Sequence, residues 1–256
     1  MHSFNTDDEA LLCKRYTELA IKSLDAGYFI FTDFLGLSEQ SAFSDAKPHF
    51  RGAKYEEFGG APSTERVMIR FGDEDELGYS QPLPISVLKI EPKSQKYANK
   101  LSHRDFLGAI LNLGIERSTL GDIAILDNVG YVFVKEEMAS FIADGLSRVK
   151  NTDVTVSVIE ELPDAPLYRK EQRCIQLSGE RIDAAISKVF GISRDDSLSL
   201  FKKRLVFVLG RLCENNSYTP KPNDVISVRG YGRFVYLGVI GTSKKGKLNV
   251  AVDVFV

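Results

Sequence analysis

The sequence contains few of the residues that build disulfide frameworks or metal sites. In 256 residues there are three cysteines and three histidines. Cys13, Cys174 and Cys213 are widely spaced and form no CxxC or CxxH pair, and the histidines show no spacing suited to a metal ion. We therefore expect three reduced thiols, no metal and no cofactor.

Long apolar runs are lacking as well. No stretch approaches the roughly 20 consecutive apolar residues that cross a bilayer. The polar, acidic start MHSFNTDDEALLCKRY lacks the basic-then-apolar order of a signal peptide. We expect no membrane span, a cytoplasmic location and a monomer. With 43% hydrophobic and 27% charged residues, the composition is typical of folded domains, and the length predicts two or three of them.

Catalytic signatures are also missing. His103-Arg104-Asp105 matches the start of a kinase catalytic loop, but Ile110 stands where that motif requires Asn, and no glycine-rich loop precedes it. Gly59–Gly60 lacks the Lys-Ser/Thr of a phosphate-binding loop. No nucleophile elbow or paired-carboxylate site is visible. The sequence predicts no catalytic residue and a protein that is not an enzyme.

Charge is distributed unevenly along the chain. The formal net charge is −2, yet the residues from Tyr168 onward carry 16 Lys and Arg against 8 Asp and Glu, a net of 16 − 8 = +8. The first 167 residues carry 17 against 27, a net of 17 − 27 = −10. Such a division points to a polyanion-binding segment at the basic end.

The predicted fold class is α+β, and residues 1–78 are assigned to an N-terminal α/β domain. Helical spacing over 7–25 places Leu11, Tyr16 and Leu24 among the buried positions. The other expected elements here are a helix at 38–46, strands at 50–58 and 66–71, and a solvated acidic loop at 73–76.

Residues 79–162 show the order strand–helix–strand–strand–helix–strand. This is the order of the ferredoxin-like fold, which RNA-recognition domains share. The first helix begins at a capping box formed by Ser102 and Asp105, and the second is predicted to run over 136–148.

Two features of this middle domain leave their role open. Tyr131 and Phe133 alternate on the third strand and so share one face, where RNA-recognition domains place their stacking rings. These rings either stack on bases or pack in the core. His103 and Arg104 either contact RNA or simply begin a surface helix.

Residues 168–256 are assigned to a C-terminal domain, reached through a proline-containing linker at 161–173. Arg181 opens a helix, Gly191 ends it, and Ser193 caps a second helix with Asp196 completing a capping box. Strands and a final hairpin follow.

Cations on the second helix and the neighbouring loops are expected to bind RNA phosphates. A rigid helix pair holds them at fixed spacing, so that RNA shape can be recognised without base contacts. The candidate RNA-binding residues are Arg181, Ser193, Arg194, Lys202, Lys203, Arg204, Arg211, Arg229, Arg233, Lys244, Lys245 and Lys247.

The run RIDAAISKVFGISRDDSLSLFKKRLVFVLGRLCENNSYTPKPNDVISVRG resembles the S-four RNA-binding domain, also called the αL motif. The landmarks are Arg181 with Asp183, the Ser193–Arg194 pair, Val206 with Val208, Gly210, and Asp224. Two positions depart from the pattern: Leu209 stands where the family usually has Asn, and Asn223 where it usually has Gly.

A wider resemblance covers about 200 residues. FGGAPSTERVMIRF, LSHRDFLGAILNLGIERSTLGDIAI and RGYGRF resemble the bacterial YlmH-type proteins, which combine an N-terminal domain, an RRM-like middle domain and a C-terminal S-four domain. The resemblance implies a protein that binds rRNA, tRNA or both on the large ribosomal subunit, in quality control of stalled peptidyl-tRNA complexes.

Two alternatives remain open. The chain could be an RNA-modifying enzyme to which the S-four domain delivers substrate; a bound cofactor, or a deep pocket lined by convergent polar groups in the first 160 residues, would favour this alternative. The acidic N-terminal part could instead make the chain an interaction scaffold linked to cell division. Partners that survive RNase treatment would favour the scaffold.

Overall fold

The computed structural model describes residues 6–163 and 167–255. Within these ranges, the α-helices are α1 Thr6–Ala26, α2 Leu37–Ala46, α3 Glu74–Leu77, α4 His103–Leu111, α5 Glu136–Gly145, α6 Ile182–Phe190 and α7 Arg194–Lys202. The strands are β1 Ile30–Phe31, β2 Tyr55–Phe58, β3 Met68–Phe71, β4 Ile85–Pro92, β5 Leu120–Leu126, β6 Val129–Lys135, β7 Arg148–Val149, β8 Thr152–Ile159, β9 Lys170–Leu177, β10 Val206–Val208, β11 Arg211–Leu212, β12 Val225–Val228, β13 Gly232–Thr242 and β14 Leu248–Phe255. None of the described helices is both long and apolar enough to cross a membrane.

The chain divides into two compact units, each of which is built from stretches that are not contiguous in sequence. The central unit comprises Leu11–Gly36 and Ala46–Leu167, and the terminal unit comprises Met1–Ala10, Leu37–Asp45 and Tyr168–Val256. The α+β class is confirmed. The division into domains at 1–78, 79–162 and 168–256 stays a prediction.

The central unit is built around an antiparallel sheet in the order β5-β6-β4-β8-β7. Together with α4 and α5, its strands follow the predicted βαββαβ order, and the first four neighbours in the sheet are arranged as in a ferredoxin-like fold. Buried side chains from the sheet and both helices form one core, including Leu88, Phe106, Val132, Val134 and Ile142. The capping box of Ser102 and Asp105 is confirmed.

The opposite face of this sheet is covered within the same unit. Phe133 is fully buried there against Phe34, Ala61 and Met68, which belong to β3 and the segments around the small sheet β1-β3-β2. Because both faces are covered, β6 is buried at all but its last residue, and it is rich in valine and aromatic residues accordingly.

The terminal unit contains an antiparallel sheet in the order β11-β10-β12-β13-β14-β9. The apolar stripe of α6, represented by Ile182, Ile186 and Val189, packs with Phe201 of α7 and Phe234 of β13. Gly191 ends α6 in a left-handed conformation, φ +65°, where a glycine carries no Cβ penalty. The predicted amphipathic helices therefore bury the faces expected of them.

Several expectations for the first 78 residues were wrong in detail. The helices at 7–25 and 38–46 are confirmed, and Tyr16 is buried, but Leu11 and Leu24 are 68% and 45% exposed. The acidic loop at 73–76 is in fact the start of α3, because the Asp73 carboxylate caps it by accepting from two backbone N–H groups. The strand at 50–58 begins only at Tyr55, after a left-handed turn.

Two further element boundaries differ from expectation. The second helix of the middle domain ends at Gly145, and Arg148 already lies in β7, which pairs with β8 in a tight hairpin. Residues 164–166 of the predicted linker at 161–173 lie outside the described residues, and from Lys170 the chain forms β9, which pairs along its whole length with β14. The first five residues of β9 are exposed, so its sequence lacks the apolar alternation that identifies a strand.

Candidate nucleic-acid interface

A buried carboxylate holds two of the predicted RNA-binding arginines. Asp183 is fully buried in the first turn of α6. Arg181 donates Nε and Nη2 to its two oxygens at 3.1 Å each, and Arg194 donates Nη2 at 2.8 Å. The two arginine side chains nevertheless remain 45% and 51% exposed. Their remaining N–H groups are thus held in place at the surface, where a phosphate could accept hydrogen bonds from them.

Two serines fix the helix pair that carries these arginines. The buried Ser197 hydroxyl donates to the Asp183 carbonyl at 2.8 Å and so ties α7 to α6. The Ser193 hydroxyl caps α7 by accepting from the Asp196 N–H at 3.0 Å, and it donates to the Asp196 carboxylate at 2.7 Å. Ser193 therefore acts on this surface by positioning the helix.

The C-terminal end of α7 carries further exposed cations, Lys202 and Lys203. At 1.5 Å per residue, Lys202 lies about 12 Å along the helix axis from Arg194. The four residues Arg181, Arg194, Lys202 and Lys203 are here called the helix-pair cluster. They place positive charge at both ends of one short rigid helix, on a surface that an RNA backbone could follow.

Two predicted cations are already engaged by carboxylates of the terminal unit. Arg204 binds both carboxylate oxygens of Glu9, at 2.7 and 3.0 Å, and Arg211 contacts Asp45 at 2.5 Å. A hydrogen bond joins the same segments, since the Leu212 N–H donates to the Ser41 hydroxyl at 3.0 Å. An RNA phosphate at either arginine would compete with a carboxylate of the chain itself.

Arg229 and Arg233 lie over aromatic rings. The Arg229 guanidinium is 5.4 Å from the centroid of Phe207, and that of Arg233 is 4.1 Å from the centroid of Phe255 and 5.2 Å from that of Tyr168. Both guanidinium groups therefore lie within cation–π distance of aromatic rings.

The three hairpin lysines lie far from Arg233, at the opposite end of β13. Lys244, Lys245 and Lys247 are exposed on the loop between β13 and β14. Arg233 stands at the other end of β13, so that roughly 30 Å of strand separates it from the loop at about 3.3 Å per residue. The predicted residues therefore form a compact helix-pair cluster and a set of more dispersed cations.

The two aromatic residues of the third strand of the middle domain are buried. Tyr131 is 7% exposed and Phe133 is fully buried, so the open question is settled in favour of core packing. His103 and Arg104 are both exposed at the start of α4.

A buried carboxylate, Asp224, holds the turn that precedes β12. The Asp224 carboxylate accepts from the Tyr218 hydroxyl and from the Lys221 N–H, both at 2.8 Å. Desolvation, then this hydrogen bond and the charge of Asp224, raise the pKa of Tyr218 to about 12. Asp224 thus fixes the chain just before β12.

Sequence reasoning missed the acidic partners Glu9 and Asp45 and the cations Arg148 and Lys150 of the β7 hairpin. Glu9 and Asp45 are distant in sequence from Arg204 and Arg211, and no local pattern connects them. Arg148 was assigned to a helix end, which hid the hairpin. Within the described ranges, no group of three or more His, Cys, Asp or Glu side chains is placed to hold a metal ion.

Comparison with known proteins gives three likenesses. The sequence model of the family described as "Putative RNA-binding domain in YlmH" matches residues 82–162. The chain is 30% identical over 173 residues to ribosome-associated protein quality control protein P2 of Bacillus subtilis (strain 168), covering 66% of this chain and 67% of that protein. Cell division protein ylmH from Streptococcus pneumoniae is similar in structure at a TM-score of 0.47 and 24% identity, over 62% of this chain and 94% of that one.

Proposed function

Because this chain belongs to the YlmH family of RNA-binding proteins, we propose that it is a non-enzymatic factor that docks on rRNA, tRNA or both. Its place of action would be the large ribosomal subunit, in quality control of stalled peptidyl-tRNA complexes. The B. subtilis relative is named for ribosome-associated quality control, which supports this role. A cytoplasmic monomer without cofactor is part of the proposal.

The observation that carries the proposal is the arrangement around Asp183. A fully buried carboxylate orients two half-exposed arginines, and two lysines extend the positive surface to the end of the same helix. This geometry suits recognition of a phosphate backbone by position and charge, and the S-four domain that the sequence resembles provides such a helix pair.

Arg229, Arg233 and the hairpin lysines would extend the footprint. They lie on strand ends and loops of the same unit, with their charged groups stacked on rings or exposed. Arg204 and Arg211 would join after exchanging Glu9 and Asp45 for phosphate. Arginines can make this exchange because guanidinium groups bind carboxylate and phosphate with the same planar fork.

Crosslinking in cells tests the proposal. The full chain is exposed to ultraviolet light in living cells, and the crosslinked RNA positions are sequenced. We expect positions in large-subunit rRNA, in tRNA or in both, lost in an Arg194→Glu/Lys203→Glu variant and kept in an Arg15→Glu/Lys22→Glu variant. The control changes the same residue types on the exposed side of α1 in the central unit. Absence of RNA crosslinks with the intact chain, together with partners that survive RNase, would instead favour an interaction scaffold.

A further inference from the structure

The middle domain cannot use the surface by which related folds stack RNA bases. Residues 82–162 match an RNA-binding family model, yet Phe133 on the sheet face is fully buried against Phe34 and Met68. The cover is tight, because a Cβ added to Gly60 would lie 2.3 Å from the Phe133 ring. Any RNA contact made by this domain therefore lies on a different surface.

A groove lies on the helical side of the same domain. It runs between α4 and the β7 hairpin, past the end of α5, with a volume of about 510 Å³. Three cations and one carboxylate line it, Arg104 and Asp105 from α4 and Arg148 and Lys150 from the hairpin, together with the polar side chains of Asn112 and Ser147. We refer to it as the α4–β7 groove.

The positive charges of this groove are only weakly neutralised by the chain itself. Lys150 is 3.8 Å from Asp105 and Arg148 is 3.7 Å from Asp153, with the two cationic side chains 53% and 61% exposed. Pairs this long, with cations this exposed, contribute little and leave most N–H donors to other partners. No ion pair joins Arg104 to a carboxylate in the part of the chain that the structure describes.

The lining of the groove favours a sugar–phosphate backbone over stacked bases. No aromatic side chain lines it, while Gly108, Ala109 and Gly145 form part of its walls. Small residues let a chain approach the helix backbone closely, and the amide of Asn112 and the hydroxyl of Ser147 match the hydrogen-bonding groups of phosphate and 2′-hydroxyl. Base stacking, by contrast, relies mainly on aromatic side chains.

We propose that the α4–β7 groove is a second RNA-binding site, which takes an RNA backbone without reading its sequence. The inference rests on the proposed function, since it assumes that this chain binds structured RNA. Arg104, Arg148 and Lys150 contact phosphates, and Asn112 and Ser147 supply neutral hydrogen bonds. The middle domain then contributes to RNA affinity through its helical side, whereas its sheet face is buried in the core of the central unit.

Binding of the full chain to a fluorescent RNA hairpin with a stem of about 20 base pairs tests the groove, since duplex RNA is recognised largely through its backbone. The variant Arg148→Glu/Lys150→Glu is compared with the control Arg15→Glu/Lys22→Glu, which reverses the same two charge types elsewhere in the central unit. Each lost phosphate contact costs roughly tenfold in Kd at 0.1 M salt and lowers the salt slope by about 1. We expect at least a tenfold rise in Kd for the groove variant and none for the control.

A neutral pair of variants tests the groove without changing charge. A Cβ added to Gly108 meets nothing within 4 Å, so Gly108→Ala and Gly108→Gln are both compatible with the fold and improve helix propensity. The longer Gln side chain projects into the groove and is expected to raise Kd several-fold, whereas Ala leaves it unchanged. Thermal unfolding of each variant verifies that the fold is intact.

The outcomes separate this inference from the proposed function. If Arg194→Glu/Lys203→Glu weakens hairpin binding while both groove variants match their controls, the groove is not an RNA site and the proposed function stands. If only the groove variants weaken binding, the groove is the site and the helix-pair cluster is not. Wild-type protein that fails to bind the hairpin would overturn the groove and the role of the chain in binding structured RNA together.

Discussion

The Arg194 guanidinium donates to the Asp183 carboxylate at 2.8 Å, and that carboxylate has no exposed surface. A surface cation of α7 is therefore oriented by a buried anion of α6. The buried anion orients the guanidinium as well as stabilising the fold, because the planar guanidinium holds its unused N–H donors in one plane. Asp183 is a positioning residue for the helix-pair cluster.

The substitution Asp183→Asn tests this relationship. It keeps the shape but removes the charge that holds Arg181 and Arg194, so we expect a loss of about 2 kcal/mol in the free energy of unfolding, given that both arginines are half exposed. RNA Kd should rise several-fold as the arginines lose orientation. Denaturant unfolding and RNA anisotropy measure the two effects. Asp195→Asn serves as control, since Asp195 is exposed in the first turn of α7. Equal RNA affinity for the two variants would show that Asp183 does not position the arginines.

The turn after β10 gives a second prediction. Leu209 adopts φ +50° and is 61% exposed, where the S-four pattern usually has Asn. A left-handed conformation costs a leucine about 1 kcal/mol, and Asn tolerates it better. We expect Leu209→Asn to raise the free energy of unfolding by up to about 1 kcal/mol in denaturant titrations. Leu209→Ala, which keeps a Cβ at the same φ, should give no such gain, and a gain from Ala alone would contradict the explanation.

The ion pairs of Arg204 and Arg211 predict that carboxylates of the chain compete with RNA phosphates for these two guanidinium groups. Removing the carboxylates in Glu9→Gln/Asp45→Asn leaves Arg204 only a long contact of 3.9 Å with Glu214 and releases Arg211 from Asp45, so RNA binding should tighten several-fold. Glu18→Gln/Asp25→Asn on α1 removes the same net charge from exposed positions of the central unit and controls for general attraction of a polyanion. Anisotropy titrations at one salt concentration compare the variants. Weaker RNA binding by the first variant would mean that these carboxylates organise the site.

Tyr218 predicts a pH dependence at the alkaline end. Its pKa in the folded chain is raised to about 12, above the ordinary value near 10 of an unfolded chain. The unfolded state therefore loses its proton first, so the stabilising contribution is complete below about pH 10 and is lost as the pH rises from 10 towards 12. Burial and the hydrogen bond to Glu180 also raise the pKa of Tyr236, so absorbance titration near 295 nm should show two late tyrosinates in the wild type and only one in Tyr218→Phe. A Tyr218→Phe curve that keeps both late tyrosinates would contradict the assignment.

Local patterns predicted much of this fold. The capping box at Ser102, the cap of α7 by the Ser193 hydroxyl, the end of α6 at Gly191 and the βαββαβ order all depend on residues adjacent in sequence, and all are found. Strand β9 was missed because its sequence is polar and lacks a strand pattern. It is stabilised by pairing with β14, which a local pattern does not reveal.

The candidate site could be predicted only in part for a related reason. The cations were visible as a charge imbalance, and the Asp183 landmark came with the S-four resemblance. Their partners Glu9 and Asp45 were not visible, because contacts between distant segments leave no periodic signal. The burial of Phe133 is of the same kind, since strand alternation identifies a face but not what covers it.

The most direct measurement is the affinity of the full chain for purified large ribosomal subunits carrying peptidyl-tRNA, determined by sedimentation across a range of salt. For Arg194→Glu/Lys203→Glu, the account predicts a Kd on the order of fifty- to a hundredfold higher at 0.1 M salt, with a salt slope smaller by about 2. The control Arg15→Glu/Lys22→Glu should match the wild type. A double variant with unchanged Kd and slope would contradict the central claim that the helix-pair cluster binds RNA.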